Sequence, residues 1–143
     1  MKYVLVLTII AVLSGCSTAP VPLEFENSRI VYKSRDDVWK SLEVFFETGS
    51  IPVETRDKEN GIIVAVRNLQ RASIYANCGT SDTTTIGEGV LTVKISLQSP
   101  EAQKTRVTVD VTFTAYRVFA GLTKTRIECF SNGTLEEEIF ENL

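Results

Sequence analysis

Apolar and polar residues alternate with a period of two over residues 91–97 and again over residues 107–115. This alternation predicts two long strands, each with one face in a core and the other in solvent. Asn60-Gly61 has the chemistry of a hairpin turn, whereas residues 79–85 predict a polar loop without packing contacts. Shorter strand patterns occur at residues 28–33, 51–57, 62–67, 73–78 and 123–130.

Two further segments have apolar residues at helical spacing. Ser34 stands at the start of the first segment, and Asp37 follows three residues later. Thr134 stands at the start of the second segment, and Glu137 follows three residues later. Both arrangements predict capped helix N-termini, the second as a capping box. The overall pattern predicts an α+β fold with an antiparallel sheet of about five or six strands and one or two helices packed on one face. The first helix should bury an apolar face made of Val38, Trp39, Leu42, Phe45 and Phe46.

The start of the chain has a different composition from the rest. Met1-Lys2 is followed by an apolar run over residues 3–13, as in a secretory signal peptide. Such a run is too short to cross a bilayer core of about 30 Å. It ends in Leu13-Ser14-Gly15-Cys16, which resembles the lipobox of bacterial lipoproteins. The resemblance implies cleavage before Cys16 and a diacylglycerol and palmitate anchor on that cysteine; the alternatives are a plain signal peptide or a short anchor that contains a cysteine.

These features divide the chain into a signal peptide (residues 1–15), a lipidated tether (residues 16–27) and a single domain (residues 28–143). The tether contains two prolines and has no periodicity, so we expect an extended spacer. In enteric bacteria an aspartate after the lipidated cysteine retains lipoproteins in the inner membrane, and by resemblance to this sorting rule Ser17 favours the outer membrane. We expect the anchored protein to face the periplasm.

Charge and the lack of histidine narrow the function classes. Without residues 1–15 the chain has 14 basic and 18 acidic residues, a net charge of −4, which disfavours a nucleic-acid partner. The chain has no histidine, so triads and zinc sites that need one are excluded. The acidic clusters Asp36-Asp37 and Glu136–Glu138 lie in predicted first helical turns, where carboxylates are favoured without catalysis. We therefore expect no enzyme activity, no catalytic residues, no metal, no cofactor and no small-molecule substrate.

Two cysteines remain once Cys16 is set aside as the lipidated residue. In an exported domain Cys78 and Cys129 are expected to form a structural disulfide. The alternatives are two free thiols or a metal-binding or redox pair, although no C-x-x-C spacing supports the latter.

The stretch Ser34–Glu43 followed by Ile51–Ile63 resembles the repeated domain of BamC, a lipoprotein of the outer-membrane β-barrel assembly machinery. The shared features are a helix carrying Trp39, a strand, a polar turn with Gly61 and a second strand. The resemblance covers residues 28–67 and implies a BamC-like α+β domain. It differs from BamC in having one such domain and in lacking the long N-terminal segment that contacts the partner of BamC.

Three functional hypotheses follow. The first is a non-enzymatic outer-membrane lipoprotein that binds an envelope protein in an assembly or accessory role. The second is a phage- or plasmid-borne surface lipoprotein that blocks a receptor or a conjugation partner, and the third is a periplasmic enzyme. Because loops often carry binding function on rigid scaffolds, Thr83 and Thr84 in the predicted polar loop are the candidate binding residues.

Overall fold

The computed structural model describes residues 17–81 and 84–143. The signal peptide and Cys16 lie outside this part of the chain. In chain order the described residues form β1 Ser17–Thr18, β2 Ser28–Val31, α1 Arg35–Thr48, β3 Val53–Asp57, β4 Ile62–Leu69, a 3-10 turn Ala72–Ile74, β5 Ala76–Asn77, β6 Thr80–Ser81, β7 Thr84–Glu101, β8 Lys104–Phe119, β9 Thr123–Ser131 and α2 Thr134–Glu141.

The strands form one large antiparallel sheet and one two-stranded ribbon. The large sheet has seven strands in the order β3-β4-β7-β8-β9-β5, and β2 pairs with β8 beside this path. The ribbon joins β1 to β6, with Ser17 opposite Ser81 and Thr18 opposite Thr80. The predicted α+β class and antiparallel sheet are confirmed, with one strand more than the upper estimate.

The core lies between one face of the sheet and the two helices. The odd-numbered residues over 91–97 of β7 and 107–115 of β8 point into it, as the alternation predicts, and α1 and α2 pack against the same cluster. Trp39 is only 3% exposed, so its predicted place in the core is confirmed. Phe45 is half-buried at the edge of this core, because it lies on the border of the apolar face of α1.

The two helices begin differently. Ser34 caps α1 as predicted, since its Oγ accepts a hydrogen bond from the Asp37 amide at 3.2 Å. The predicted capping box of α2 is wrong. The N-cap of that helix is Gly133, with φ 83°, and the Thr134 amide donates to Asn132 Oδ1. Glu137 pairs with the Arg29 guanidinium instead, at 2.8 Å, which ties α2 to β2.

The hairpin between β3 and β4 forms at the predicted turn. Gly61 has φ +70°, and a Cβ there would lie 2.7 Å from the Leu97 carbonyl oxygen, so the position requires glycine. Arg35 Nη2 donates to the carbonyls of Lys58 and Glu59 at 2.5 and 2.7 Å. The start of α1 therefore holds this turn in place.

The predicted polar loop over residues 79–85 is wrong where the structure describes it. Thr80–Ser81 form β6, and β7 already begins at Thr84, seven residues before the alternating pattern starts. The alternation is interrupted by a register shift between Ile86 and Gly89. This irregularity hides the first part of the strand from any search for a period of two.

Residues 17–27, which the sequence predicts to be a spacer, lie along the domain. Thr18 pairs with Thr80, and Asn77 Nδ2 donates to the Val21 carbonyl at 3.2 Å. Further along, Asn27 Nδ2 donates to Asp110 Oδ1 at 3.1 Å. The segment therefore runs beside the sheet and continues directly into β2.

Candidate binding site

The residues singled out by the sequence occupy different positions. Thr83 lies outside the described residues, as does Cys16. Thr84 is the first residue of β7 and pairs with Phe119 of β8. Its Oγ1 is buried and has no hydrogen-bond partner among the described residues. Thr84 is thus part of the sheet and is not an exposed loop residue.

Cys78 and Cys129 form the predicted disulfide, with Cα atoms 4.4 Å apart. Both residues are buried, and the bond links the segment between β5 and β6 to β9. Arg117 Nη2 donates to the Cys78 carbonyl at 3.0 Å, which joins the same segment to β8. The covalent and polar contacts together hold the β1-β6 ribbon near the end of the large sheet.

A cleft opens at the end of the large sheet where β4 stops. β4 ends at Leu69, opposite Gly89, while β7 and β8 continue past this point. The close approach of β7 to β8 at the bulge requires Gly89, because a Cβ there would lie 2.5 Å from the Thr114 carbonyl oxygen. The resulting sheet-end cleft has a volume of about 470 Å³ and is lined by Asn68, Leu69, Gln70, Glu88, Gly89, Val90 and Tyr116.

Polar groups surround the sheet-end cleft. Asn68 and Gln70 provide amides that donate and accept hydrogen bonds, and Tyr116 provides a ring and a hydroxyl. Lys124 Nζ pairs with Glu88 Oε1 at 3.3 Å across an adjoining depression of about 330 Å³. Tyr116 lies on the side of β8 opposite to the core residue Ala115, away from both helices. These groups suit recognition of an extended polar segment by hydrogen bonds.

Sequence reasoning missed this cleft because its residues come from three separate places. Residues 68–70, 88–90 and 116 share no motif, and only the pairing of β4, β7 and β8 brings them together. The one local signal is Gly87-Glu88-Gly89, in which two glycines interrupt a strand pattern. Such glycines often mark a bulge or a close approach.

A second groove lies on the opposite side of the molecule's core, along α1. It has a volume of about 520 Å³ and contains Val44, which is 61% exposed, and the half-buried Phe45. The remaining lining residues are Lys40, Ser41, Thr48, Gly49 and Asn142. One helix face forms most of this groove, so it offers fewer converging polar groups than the sheet-end cleft.

The acidic clusters differ in their environments. Asp36 is exposed, and its hydrogen bond to the Lys58 ammonium lowers the pKa of its carboxyl group. Glu136, in contrast, is 2% exposed, and its Oε2 accepts a hydrogen bond from Ser131 Oγ at 2.8 Å. Burial raises the pKa of Glu136 above its usual value. Glu136 lies in the first turn of α2, as the sequence predicts, but its carboxyl group is buried.

Over residues 17–81 and 84–143, neither helix is long and apolar enough to cross a membrane. The same residues contain no group of three or more acidic, cysteine or histidine side chains arranged to hold a metal ion. No protein-family model matches the chain, and a search of curated proteins finds no significant match.

Proposed function

We propose that this protein is an outer-membrane lipoprotein that binds an envelope protein in an assembly or accessory role and catalyses no reaction. The observation that carries the proposal is Leu13-Ser14-Gly15-Cys16 at the end of an apolar run. A diacylated and N-acylated Cys16 would hold the chain in the periplasmic leaflet of the outer membrane, because two or three acyl chains anchor a protein stably.

The order of elements in the N-terminal half supports a BamC-like domain. Trp39 is buried on α1, and α1 is followed by β3, a turn at Gly61 and β4. The resemblance implies this same order, with the tryptophan and the glycine in structural roles. A fold of this kind does not itself specify an activity. Support for a binding role comes from the surface of the domain.

The sheet-end cleft supports a binding role. Asn68 and Gln70 are amides that do not titrate, and Glu88 is engaged with Lys124 at 3.3 Å. This set of groups donates and accepts hydrogen bonds and can hold a peptide segment. The lining of the cleft contains one carboxylate, that of Glu88, and no second carboxylate with which Glu88 could form a hydrolytic pair.

The anchor is tested by replacing Cys16 with serine. The variant should lose the mass of the acyl chains and should be found in the soluble periplasmic fraction or as an uncleaved precursor. The wild-type chain should begin at a modified Cys16 and should float with outer membranes. A Cys16→Ser variant that still matures and floats with membranes refutes the lipid anchor.

The binding role is tested by photo-crosslinking in living cells. A benzophenone side chain introduced at Tyr116, in the sheet-end cleft, should capture one envelope protein. The matched control carries the same group at Val44, which is also exposed but lies on α1. Glu88→Lys should abolish capture from position 116 because it breaks the pair with Lys124 and places two cations at the edge of the cleft. If the captured protein is a phage receptor or a conjugation protein, the second hypothesis, exclusion, replaces the first.

A further inference from the structure

The β8–β9 hairpin ends in an exposed apolar turn, residues 119–122, which we call the hairpin tip. The Leu122 amide donates to the Phe119 carbonyl at 2.9 Å, and both central residues, Ala120 and Gly121, have positive φ. Leu122 is 89% exposed and Phe119 is 52% exposed. Apart from Gly121 and its two chain neighbours, no described residue has an atom within 4 Å of where a Cβ on Gly121 would be. The tip therefore presents two large apolar side chains to the outside.

The hairpin that carries this tip is basic. Residues 111–127 contain three basic residues, Arg117, Lys124 and Arg126, and no acidic residue, in a chain whose net charge is −3. An apolar turn above a basic stem matches a phospholipid surface, in which acyl chains lie beneath anionic phosphates. Arg126 is exposed and can extend toward the headgroups. Arg117 donates to the Cys78 carbonyl at 3.0 Å and Lys124 pairs with Glu88 at 3.3 Å, so these two contribute their charge from within the domain.

The tip and the anchored residue lie at the same end of the sheet. Ser17 pairs with Ser81, and Thr84, three residues further along the chain, pairs with Phe119. Strand pairing and Cα spacing keep the Cα atoms of Ser17 and Phe119 within about 22 Å of each other. β8 is about 50 Å long at the usual rise per residue, so Ser17 lies nearer to its Phe119 end than to its Lys104 end.

The connection between the anchored residue and the domain is short. Cys16 is bonded to Ser17, and Ser17 already belongs to β1. Thr18 Oγ1 and Thr80 Oγ1 are 2.6 Å apart, and the Thr80 amide donates to Thr18 Oγ1 at 3.2 Å. A lipid on Cys16 would therefore hold this end of the sheet close to the bilayer. It would not leave the domain at the far end of a flexible spacer.

We propose that the hairpin tip inserts into the phospholipid surface beside the acyl chains of Cys16 and orients the domain on the membrane. The inference rests on the proposed lipid anchor, which attaches the protein to the membrane. Phe119 and Leu122 set the orientation of the domain on the membrane. The sheet-end cleft, whose lining includes Tyr116 near the tip, then lies close to the membrane, where an envelope partner can reach it.

The test uses the full lipidated chain reconstituted into phosphatidylethanolamine and phosphatidylglycerol vesicles. Leu122→Trp adds a reporter to Trp39, which is buried. We expect the emission of the added tryptophan to shift to the blue and to be quenched by lipids brominated on their acyl chains. Val44→Trp, at an exposed apolar position on α1, is the matched control and should show neither change.

Mass spectrometry of the same samples separates the two proposals. Acylated Leu122→Trp protein that is not quenched refutes the hairpin-tip insertion and leaves the anchor standing. Protein without acyl chains refutes the anchor, and the inference fails with it. A blue shift that appears without vesicles and grows with protein concentration would show that a second copy covers the tip, which also overturns lipid insertion.

Discussion

Removal of the Cys78–Cys129 bond should destabilise the domain substantially. The bonded residues are separated by 51 positions in the chain. Closing a loop of this length in the unfolded state corresponds to about 4 kcal/mol in the chain-entropy treatment. A domain of this size has roughly 5–15 kcal/mol of total stability, so the loss is a large share. Alanine at both positions removes the bond and, because both side chains are buried, leaves a small cavity in place of the two sulfur atoms, which adds to the loss.

The measurement is urea unfolding of the full chain carrying Cys16→Ser, with and without Cys78→Ala and Cys129→Ala. Adding a reductant should lower the midpoint of the bonded protein and leave that of the alanine variant unchanged, which is the control. Hydrogen exchange should increase most at β6 and β1, because the bond holds the segment that precedes β6, and β6 pairs with β1. A loss below about 1 kcal/mol would refute the argument from loop closure.

Two other predictions concern buried side chains. Trp39→Ala should cost about 3–5 kcal/mol in chemical unfolding, and Phe45→Ala clearly less, because Phe45 is only half-buried; equal losses would contradict this placement of α1. Because burial raises the pKa of Glu136, the native state binds this proton more readily than the unfolded chain, and the contribution of Glu136 to stability falls as pH rises through the raised pKa. The Tm of Glu136→Gln should therefore rise relative to that of the wild type as the pH increases above the ordinary pKa of a glutamate; a difference in Tm that does not change with pH would contradict it.

Elements with strong local periodicity could be predicted from the sequence. The alternation over residues 91–97 and 107–115 places the correct residues of β7 and β8 in the core. Ser34 and Asp37 correctly mark the start of α1, and Asn60-Gly61 correctly marks the β3–β4 turn. In each case the signal lies within a few neighbouring residues and the tertiary structure agrees with it.

The start of α2 shows how a local signal can fail. Thr134 and Glu137 have the spacing of a capping box. Instead, the Asn132 side chain accepts a hydrogen bond from the Thr134 amide, and the Arg29 guanidinium pairs with Glu137 at 2.8 Å. Arg29 belongs to β2, more than a hundred residues earlier in the chain, so the sequence around Glu137 does not predict this partner. The same turn of helix directs Glu136 inward toward Ser131. A different local contact, from Asn132, and one long-range pair, between Arg29 and Glu137, have therefore replaced the capping box.

The β1-β6 ribbon decides how an anchor on Cys16 would act, and it is the element that the sequence predicts least well. Each of its strands has two residues, too few for any periodicity, and they lie more than sixty positions apart. Read alone, residues 16–27 predict a spacer that would leave the domain free to turn above the bilayer. The pairing of β1 with β6 removes that freedom. A bilayer-bound Cys16 would directly precede β1, and the disulfide at Cys78, two residues before β6, links this ribbon to β9. Two short strands and one covalent bond thus change the expected relation of the domain to the membrane from a loose tether to a defined end-on contact.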